Sequence, residues 1–294
     1  MEKYINKAKI LIEALPYIKE FSGKTVVIKY GGSAMVDPLL NERVIEDIVL
    51  MKLVGFQPVI VHGGGKEISS MLGKMGIPSK FHEGLRITSE ETVEVVEMVL
   101  AGKVNKSIVQ MIQNHDINAV GITGKDGKTL TVKKKVVDGA DIGFVGEITA
   151  VDTKLINSLI DNDFIPVIAP LGTDHQGRTY NINADYAASA IAGALDAEKL
   201  IFLTDVRGVM RDMHNDSSLI SQLTIEDVAI LKTEGVISGG MIPKVDCCVE
   251  GLRAGVKNVH ILDGRVEHSL LLEIFTKSGV GTMFGKHFVD EVNW

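Results

Sequence analysis

The sequence predicts an α/β protein built on a mainly parallel sheet, and three observations carry that prediction. Val26-Val27-Ile28-Lys29-Tyr30-Gly31-Gly32-Ser33 is a short β-branched run that delivers a lysine at its end and then breaks into paired glycines. Such residues favour the pleated backbone, and glycine lets the chain turn tightly and approach a ligand closely. Pro58-Val59-Ile60-Val61-His62-Gly63-Gly64-Gly65 repeats the pattern, and each run leads into a helical segment. Two successive strand–glycine–helix units imply parallel strands with right-handed crossovers, which gather ligands at the carboxyl ends of the strands. With 294 residues, 45% hydrophobic, the chain can bury the core of one large α/β domain or two lobes.

In order along the chain, residues 1–21 carry Ile5, Ala8, Leu11, Ile12, Leu15 and Ile18 at helical spacing, with a kink expected at Pro16. That stripe can pack on its own domain or on another subunit. Asp37-Pro38 opens a helix over 37–54, stopped at Gly55. A second helix is expected over 66–75. Thr88-Ser89-Glu90-Glu91 has capping-box form and opens a helix to 99. Arg86, just before it, suits either a surface charge or a two-pronged carboxylate clamp. Residues 124–151 alternate around glycines and predict β-hairpins, followed by a helix over 153–161 and a strand over 165–169.

Asn181-Ile182-Asn183-Ala184-Asp185 precedes a small-residue helix over 187–194 and holds more Asn/Asp than one cap requires. A strand over 200–203 ends in Thr204-Asp205-Val206-Arg207-Gly208-Val209. After a helix over 224–233, Gly239-Gly240-Met241-Ile242-Pro243-Lys244 sets Lys244 at a helix start, near exposed amides and the positive end of the dipole. A strand over 258–262, a helix over 267–275 and an edge strand around 279–283 finish the chain.

Composition excludes several classes. No apolar run approaches the roughly 18 residues of a membrane span, and the N-terminus lacks the apolar stretch and cleavage site of a secretory signal; the expectation is a cytoplasmic protein. The two cysteines, Cys247 and Cys248, are adjacent, which rules out a disulfide framework or cysteine zinc site and leaves them as small hydrophobes. Net charge is −7, and the one basic run, Lys133-Lys134-Lys135, reads as a solvated hairpin, so no nucleic-acid partner is expected.

The glycine loops suggest phosphate chemistry, yet the familiar templates fail. Gly23-Lys24-Thr25 and Gly127-Lys128-Thr129 end like Walker A loops, but Ile18 and Ile122 occupy the first glycine position. A dinucleotide glycine fingerprint, a His-Arg-Asp catalytic loop and metal-binding histidine pairs are also missing. Two lysines beside glycines and an Asn/Asp cluster remain. Phosphoryl transfer needs mainly positioning and charge neutralisation. Lysines from different loops, with a buried Asp between them, would supply both.

Taken together, VIKYGGSAM, VIVHGGG, GLRIT, NINAD, LTDVRGV and SGGMIPK resemble the amino-acid kinase family, and within it the arginine-sensitive branch that phosphorylates acetylglutamate. The resemblance runs through almost the whole chain. It implies a three-layer αβα sandwich, with an acyl-substrate lobe at about 23–180 and a nucleotide lobe at about 181–294. Carried over, Lys29 and Lys244 would stabilise the transferring phosphoryl group and Asp185 would organise the two lysines. Gly31 and Gly32 would offer amides to phosphates. Gly64, Gly65, Arg86 and Asn181 would hold N-acetyl-L-glutamate. Asp205, Val206, Arg207, Gly208, Val236, Ile237 and Ser238 would line the nucleotide pocket, with Mg²⁺ arriving on ATP and no protein metal site. Leu15-Pro16-Tyr17-Ile18-Lys19-Glu20-Phe21 resembles the kinked helix that interlaces dimers of that branch into a homohexamer. On that reading residues 1–22 form an oligomerisation and regulatory segment, and L-arginine inhibits from a site near Tyr17, Lys199, His268 and Glu273. Some lineages of the family also dock a signalling protein on the ring. A non-catalytic sensor on the same scaffold is the competing class, and it would be expected to have lost Lys29, Asp185 and Lys244.

Overall fold

A computed structural model describes residues 1–35, 37–276 and 279–288, so the end of the expected C-terminal lobe, 289–294, lies outside the described residues. The chain opens with α1 (Glu2–Glu13) and α2 (Leu15–Phe21). The break falls at Ala14 because Pro16, in the first turn of α2, has no N–H to continue the ladder. Then come β1 (Thr25–Tyr30), α3 (Pro38–Leu53), β2 (Gln57–His62), α4 (Gly65–Lys74), the two-residue strands β3 (Phe81–His82) and β4 (Leu85–Arg86), and α5 (Glu90–Glu97). Asp37 caps α3 as expected, accepting from Leu39 N at 2.9 Å. At α5 the cap is Ser89, accepting from Thr92 N at 3.2 Å, so the expected Thr/Glu box is replaced by a Ser/Thr pair.

The helix expected to stop at 99 instead continues as a π-helix, Met98–Val104, and then as α6 (Asn105–Gln113). β5 (Ala119–Thr123), β6 (Leu130–Val137), β7 (Ala140–Val151), α7 (Lys154–Asp161), β8 (Ile165–Ala169), β9 (Leu171–Thr173), β10 (Thr179–Asn181) and α8 (Ala184–Ala194) follow. The last part is β11 (Lys199–Thr204), β12 (Gln222–Leu223), α9 (Ile225–Thr233), α10 (Met241–Arg253), β13 (Asn258–Asp263), α11 (Ser269–Ile274) and β14 (Thr282–Gly285).

One eight-stranded sheet, in the order β12-β14-β13-β11-β1-β2-β8-β5, runs through the molecule. Its pairings are parallel except β13 with β14. The strand expected at the edge is β14, and it is not an edge: β12 pairs outside it. Two residues are too few for β12 to leave a periodic signal in the sequence. The β6–β7 hairpin, expected from the alternation at 124–151, closes a small barrel with β9 and β10. No helix among the described residues is long and apolar enough to cross a membrane.

Strand alternation divides the core by sheet face. Val26, Ile28 and Tyr30 join the cluster under α3, α4, α5, α6 and α11, whereas Val27 faces α7, α8, α9 and α10. Successive side chains of a strand point to opposite faces, so Lys29 lies on the α8/α10 side. This is a three-layer αβα sandwich. β1 is its switch point, since β2, β8 and β5 lie to one side and β11 and β13 to the other. A crevice at the carboxyl ends follows from that topology.

Candidate active site

The two helices that meet Lys29 are brought close by small residues. Ala187, Ala188, Ser189, Ala192 and Gly193 face inward on α8, and a Cβ on Gly193 would stand 2.4 Å from Ala254 Cβ at the end of α10. Close packing sets the two N-termini side by side. Asn183 caps α8, accepting from Asp185 N at 2.8 Å and Tyr186 N at 3.4 Å. That cap accounts for one member of the Asn/Asp cluster and frees Asp185 to point at the lysines.

Lys29 Nζ lies 2.8 Å from Asp185 Oδ1, and Lys244 Nζ lies 3.8 Å from Oδ2. The first contact is an ion pair at hydrogen-bond length, and because an ammonium carries three N–H donors Lys29 keeps some for a third group. Burial pushes the Asp185 carboxyl up, but the Lys29 and Lys244 charges outweigh it and hold the carboxyl below its usual range. Two cations on one anion leave a net positive charge at a cleft, ready for an anionic ligand. A Cβ at Gly31 would stand 2.9 Å from Lys29 Nζ, and one at Gly32, with φ +72°, would stand 2.7 Å from Asp205 Oδ1. The loops after β1 and β11 therefore touch, which brings Gly31, Gly32 and Asp205 into one neighbourhood.

On the far side of that neighbourhood, Gly208 has φ +150° and Val209 N donates to Thr282 Oγ1 at 2.8 Å. Arg207 pairs with Asp216 at 2.8 Å on the surface. Val206 and Val236 pack against the α8/α10 core beside buried Ile237, and Ser238 accepts from Met241 N at the start of α10. The expected nucleotide residues thus come from the carboxyl end of β11 and the α9–α10 connection.

Across β1, Gly64 precedes α4 and Gly65 opens it. Gly65 is exposed, whereas Arg86, like Gly64, is buried. Its Nη2 donates to Gly65 O and Ser69 Oγ, both at 2.9 Å, its Nη1 donates to Ser79 Oγ, and its guanidinium lies 4.7 Å from the Phe81 ring centroid. Burial lowers its pKa. Asn181 Nδ2 donates to Thr88 Oγ1 at 3.4 Å. Gly64, Gly65, Arg86 and Asn181 line one cavity of about 190 Å³, and a neighbouring space of about 530 Å³ reaches Gly32 and Lys66. The clamp serines Ser69 and Ser79 carry no motif of their own and were not among the sequence candidates; only the folded chain brings them to Arg86.

The four residues expected around arginine divide. Lys199 Nζ stands 4.6 Å over the Phe21 ring, and Tyr17 meets Phe275 edge-on at 6.4 Å. Glu273 accepts from His260 Nδ1 and Val280 N, each at 2.7 Å, and from Gly281 N at 3.1 Å. Burial lowers the Lys199 pKa against the pull of nearby Glu198 and Glu273. These three share the α2–α11 side of the sheet. His268 sits at the start of α11 with φ 56°, its Nδ1 held by buried Asp47 at 2.5 Å.

The amino acid kinase family model matches residues 24–263. Acetylglutamate kinase from Heliobacterium modesticaldum is 59% identical over 292 residues, covering 96% of this chain and 99% of its own. The enzyme of that name from Caldanaerobacter subterraneus subsp. tengcongensis is 58% identical over 289 residues, covering 98% and 96%. Among solved structures, N-acetylglutamate synthase from Neisseria gonorrhoeae, complexed with coenzyme A and N-acetyl-glutamate, superposes with a TM-score of 0.84 at 28% identity over 96% of this chain. This chain spans 64% of that synthase. The same synthase complexed with coenzyme A and L-arginine gives 0.80 at 26%, covering 95% of this chain and 65% of that one. Carbamate kinase from Giardia lamblia, at 0.65 and 19% over 90% of this chain and 99% of its own, shares the fold. The chain is therefore an enzyme of the kinase type and belongs to the amino acid kinase family, within it to the acetylglutamate kinases.

Proposed function

We propose that this kinase transfers the γ-phosphoryl group of ATP to the γ-carboxylate of N-acetyl-L-glutamate, giving N-acetyl-L-glutamyl 5-phosphate, the second step of L-arginine biosynthesis. The observation that carries the reading is the convergence of Lys29 and Lys244 on Asp185 between the two sets of glycine loops. A carboxylate oxygen attacks the γ-phosphorus, the bond to the β–γ bridging oxygen breaks, and ADP leaves with that electron pair. An unperturbed glutamate titrates at about 4.3, so the nucleophile is already ionised and no general base is required. Lys29 and Lys244 neutralise charge on the moving group, Asp185 keeps the two ammonium groups apart and aimed, and the amides of Gly31 and Gly32 meet phosphate oxygens. Arg86, already fixed by three oxygens, grips a substrate carboxylate beside Gly64, Gly65 and Asn181. Asp205 to Gly208 and Val236 to Ser238 hold the nucleotide. Mg²⁺ fits as the nucleotide's own counter-ion, since Asp185 is engaged by two ammonium groups and phosphate oxygens with water are usual ligands of this ion.

On this reading residues 23–180 form the acetylglutamate lobe and 181–294 the ATP lobe, and the enzyme works in the cytoplasm. L-Arginine inhibits it, binding near Tyr17, Lys199, His268 and Glu273, and residues 1–22 interlace dimers into a hexamer. The exposed apolar stripe Ile10, Leu11, Ile12 and Leu15 and the arginine complex of the gonococcal synthase support this regulatory part. A coupled assay with acetylglutamate and ATP, run with and without arginine, tests both parts. Activity on aspartate or carbamate in place of acetylglutamate, read with a hydroxamate trap, would end the assignment. A chain lacking residues 1–22 should lose the hexamer and much of the response to arginine.

A further inference from the structure

Beneath the glycine loop lies a buried polar group that the transfer as described does not use. His62 ends β2 beside Tyr30 of β1 and is fully enclosed, on the face opposite Lys29. Its Nδ1 is 2.8 Å from the Gly63 carbonyl and its Nε2 is 3.1 Å from Asn105 Nδ2. A carbonyl only accepts, so Nδ1 carries the proton and Nε2 accepts from the amide. The amide is itself fixed: its two N–H groups serve His62 Nε2 and Val167 O at 2.9 Å, with Ile122 O at 3.3 Å sharing one of them, while its oxygen receives Lys106 Nζ at 3.1 Å. Lys106 also donates to Gly121 O at 2.8 Å. At Gly121 a Cβ would stand 1.8 Å from Asn105 Oδ1, so the sheet leaves room for this amide. Burial, aided by the Lys106 charge and opposed by the Gly63 carbonyl, brings the His62 pKa down to about 4.

The consequence falls on the peptide between Gly63 and Gly64. In a trans planar peptide the carbonyl and the N–H point in opposite directions. With the Gly63 carbonyl held by the buried imidazole, the Gly64 N–H points away from it, and Gly63, Gly64 and Gly65 line the cavity. The π-helix supports the same peptide, since a Cβ on Gly64 would meet Leu100 Cδ2 at 2.6 Å, and that helix ends where Asn105 begins α6.

We propose that His62 and Asn105 are positioning residues for the transfer: a neutral imidazole, fixed in one tautomer by the amide, locks the Gly63–Gly64 peptide with its N–H toward the acceptor carboxylate. This rests on acetylglutamate occupying that cavity. The test combines ¹⁵N NMR of the histidine-labelled full chain with kinetics on both substrates. The wild-type imidazole should show protonated Nδ1 and bare Nε2, without change from about pH 5.5 to 8. Asn105→Ala should mix the tautomers. It should also lower kcat/KM for acetylglutamate roughly 10- to 100-fold, the scale of a misplaced contact, while the KM for ATP moves less than about threefold. His62→Leu should fall as far, and His62→Asn, whose amide N–H sits near the lost Nδ1–H, should recover most of the loss. A wild-type Nε2–H tautomer, an equal rise in the KM for ATP, or His62→Asn no better than His62→Leu would overturn the proposal. The tautomer is read without substrate, so its failure is distinct from a failure of the assignment to acetylglutamate.

Discussion

Lys29 and His62 lie one register step apart on adjacent strands, at the same end of the sheet, yet they belong to different kinds of polar cluster. Lys29 is opposite Val61, and His62 is opposite Tyr30, so alternation sends one side chain toward α8 and α10 and the other toward α6. On the first side two ammonium groups share one carboxylate, which leaves charge unbalanced. On the second, both imidazole nitrogens have partners and the ring is neutral near pH 7. An uncompensated buried charge is costly, so imbalance is tolerable only where an anionic ligand will complete it. On the function proposed above, the difference separates residues that would meet substrate from residues that would hold the loop substrate meets.

The strongest way to break this comparison is to remove a cation. Lys29→Ala and Lys244→Ala should each lower kcat on the order of 10³-fold, about 4 kcal/mol, with small changes in KM, the pattern of lost transition-state stabilisation. Steady-state kinetics with both substrates varied decides it; near-normal turnover in either variant would place the chemistry elsewhere. Arg86 comes next. Arg86→Lys keeps the charge but cannot reproduce a guanidinium held by Ser79, Ser69 and Gly65 at once. It should raise the KM for acetylglutamate on the order of 10²-fold and leave that for ATP much less affected. Equal effects on both substrates would detach Arg86 from the acyl site.

How far each cluster could be read beforehand follows from how local its cause is. The strands at 26–30 and 58–62, the cap at Asp37 and the residues Lys29, Asp185 and Lys244 carry signals within a few positions: an apolar run, a Pro after an Asp, glycines beside a lysine. Their convergence does not, because it depends on small residues of α8 letting α10 approach, as at Gly193 and Ala254. The π-helix at Met98–Val104 replaced an expected helix end; its Leu100 and Val104 stand under Gly64, a meeting of elements distant along the chain that no local pattern marks. Asn105 was invisible for the same reason. Its partners His62, Ile122 and Val167 are far along the chain, and nothing adjacent to it in sequence marks an amide with a structural task. The two-residue β12 fell below any periodicity, which misplaced β14 at the edge.

The smallest effect concerns stability and separates the two clusters by pH. A histidine unfolded titrates near 6.5, and His62 in the folded chain near 4. Between those values the unfolded chain binds more protons, so the stability that neutral His62 contributes is complete above 6.5 and is lost as pH falls through 4. Asp185, held below the usual carboxyl range, acts in a lower window, losing its contribution only below about 3.8. Asp47, raised to about 6 by burial against the pull of His268, works in the opposite sense between 3.8 and 6, where its stability falls as pH rises. The total curve therefore mixes signs, and the difference between wild type and His62→Asn isolates one group. Denaturant unfolding at pH 7.5 and pH 4.5 should show the wild type losing about 2 kcal/mol more than the variant over that interval. Parallel losses would mean that the imidazole titrates alike in the folded and unfolded chain, so that burial does not hold it neutral. A smaller loss in the wild type would mean that the Gly63 carbonyl is held by a cation and the contrast with Lys29 collapses.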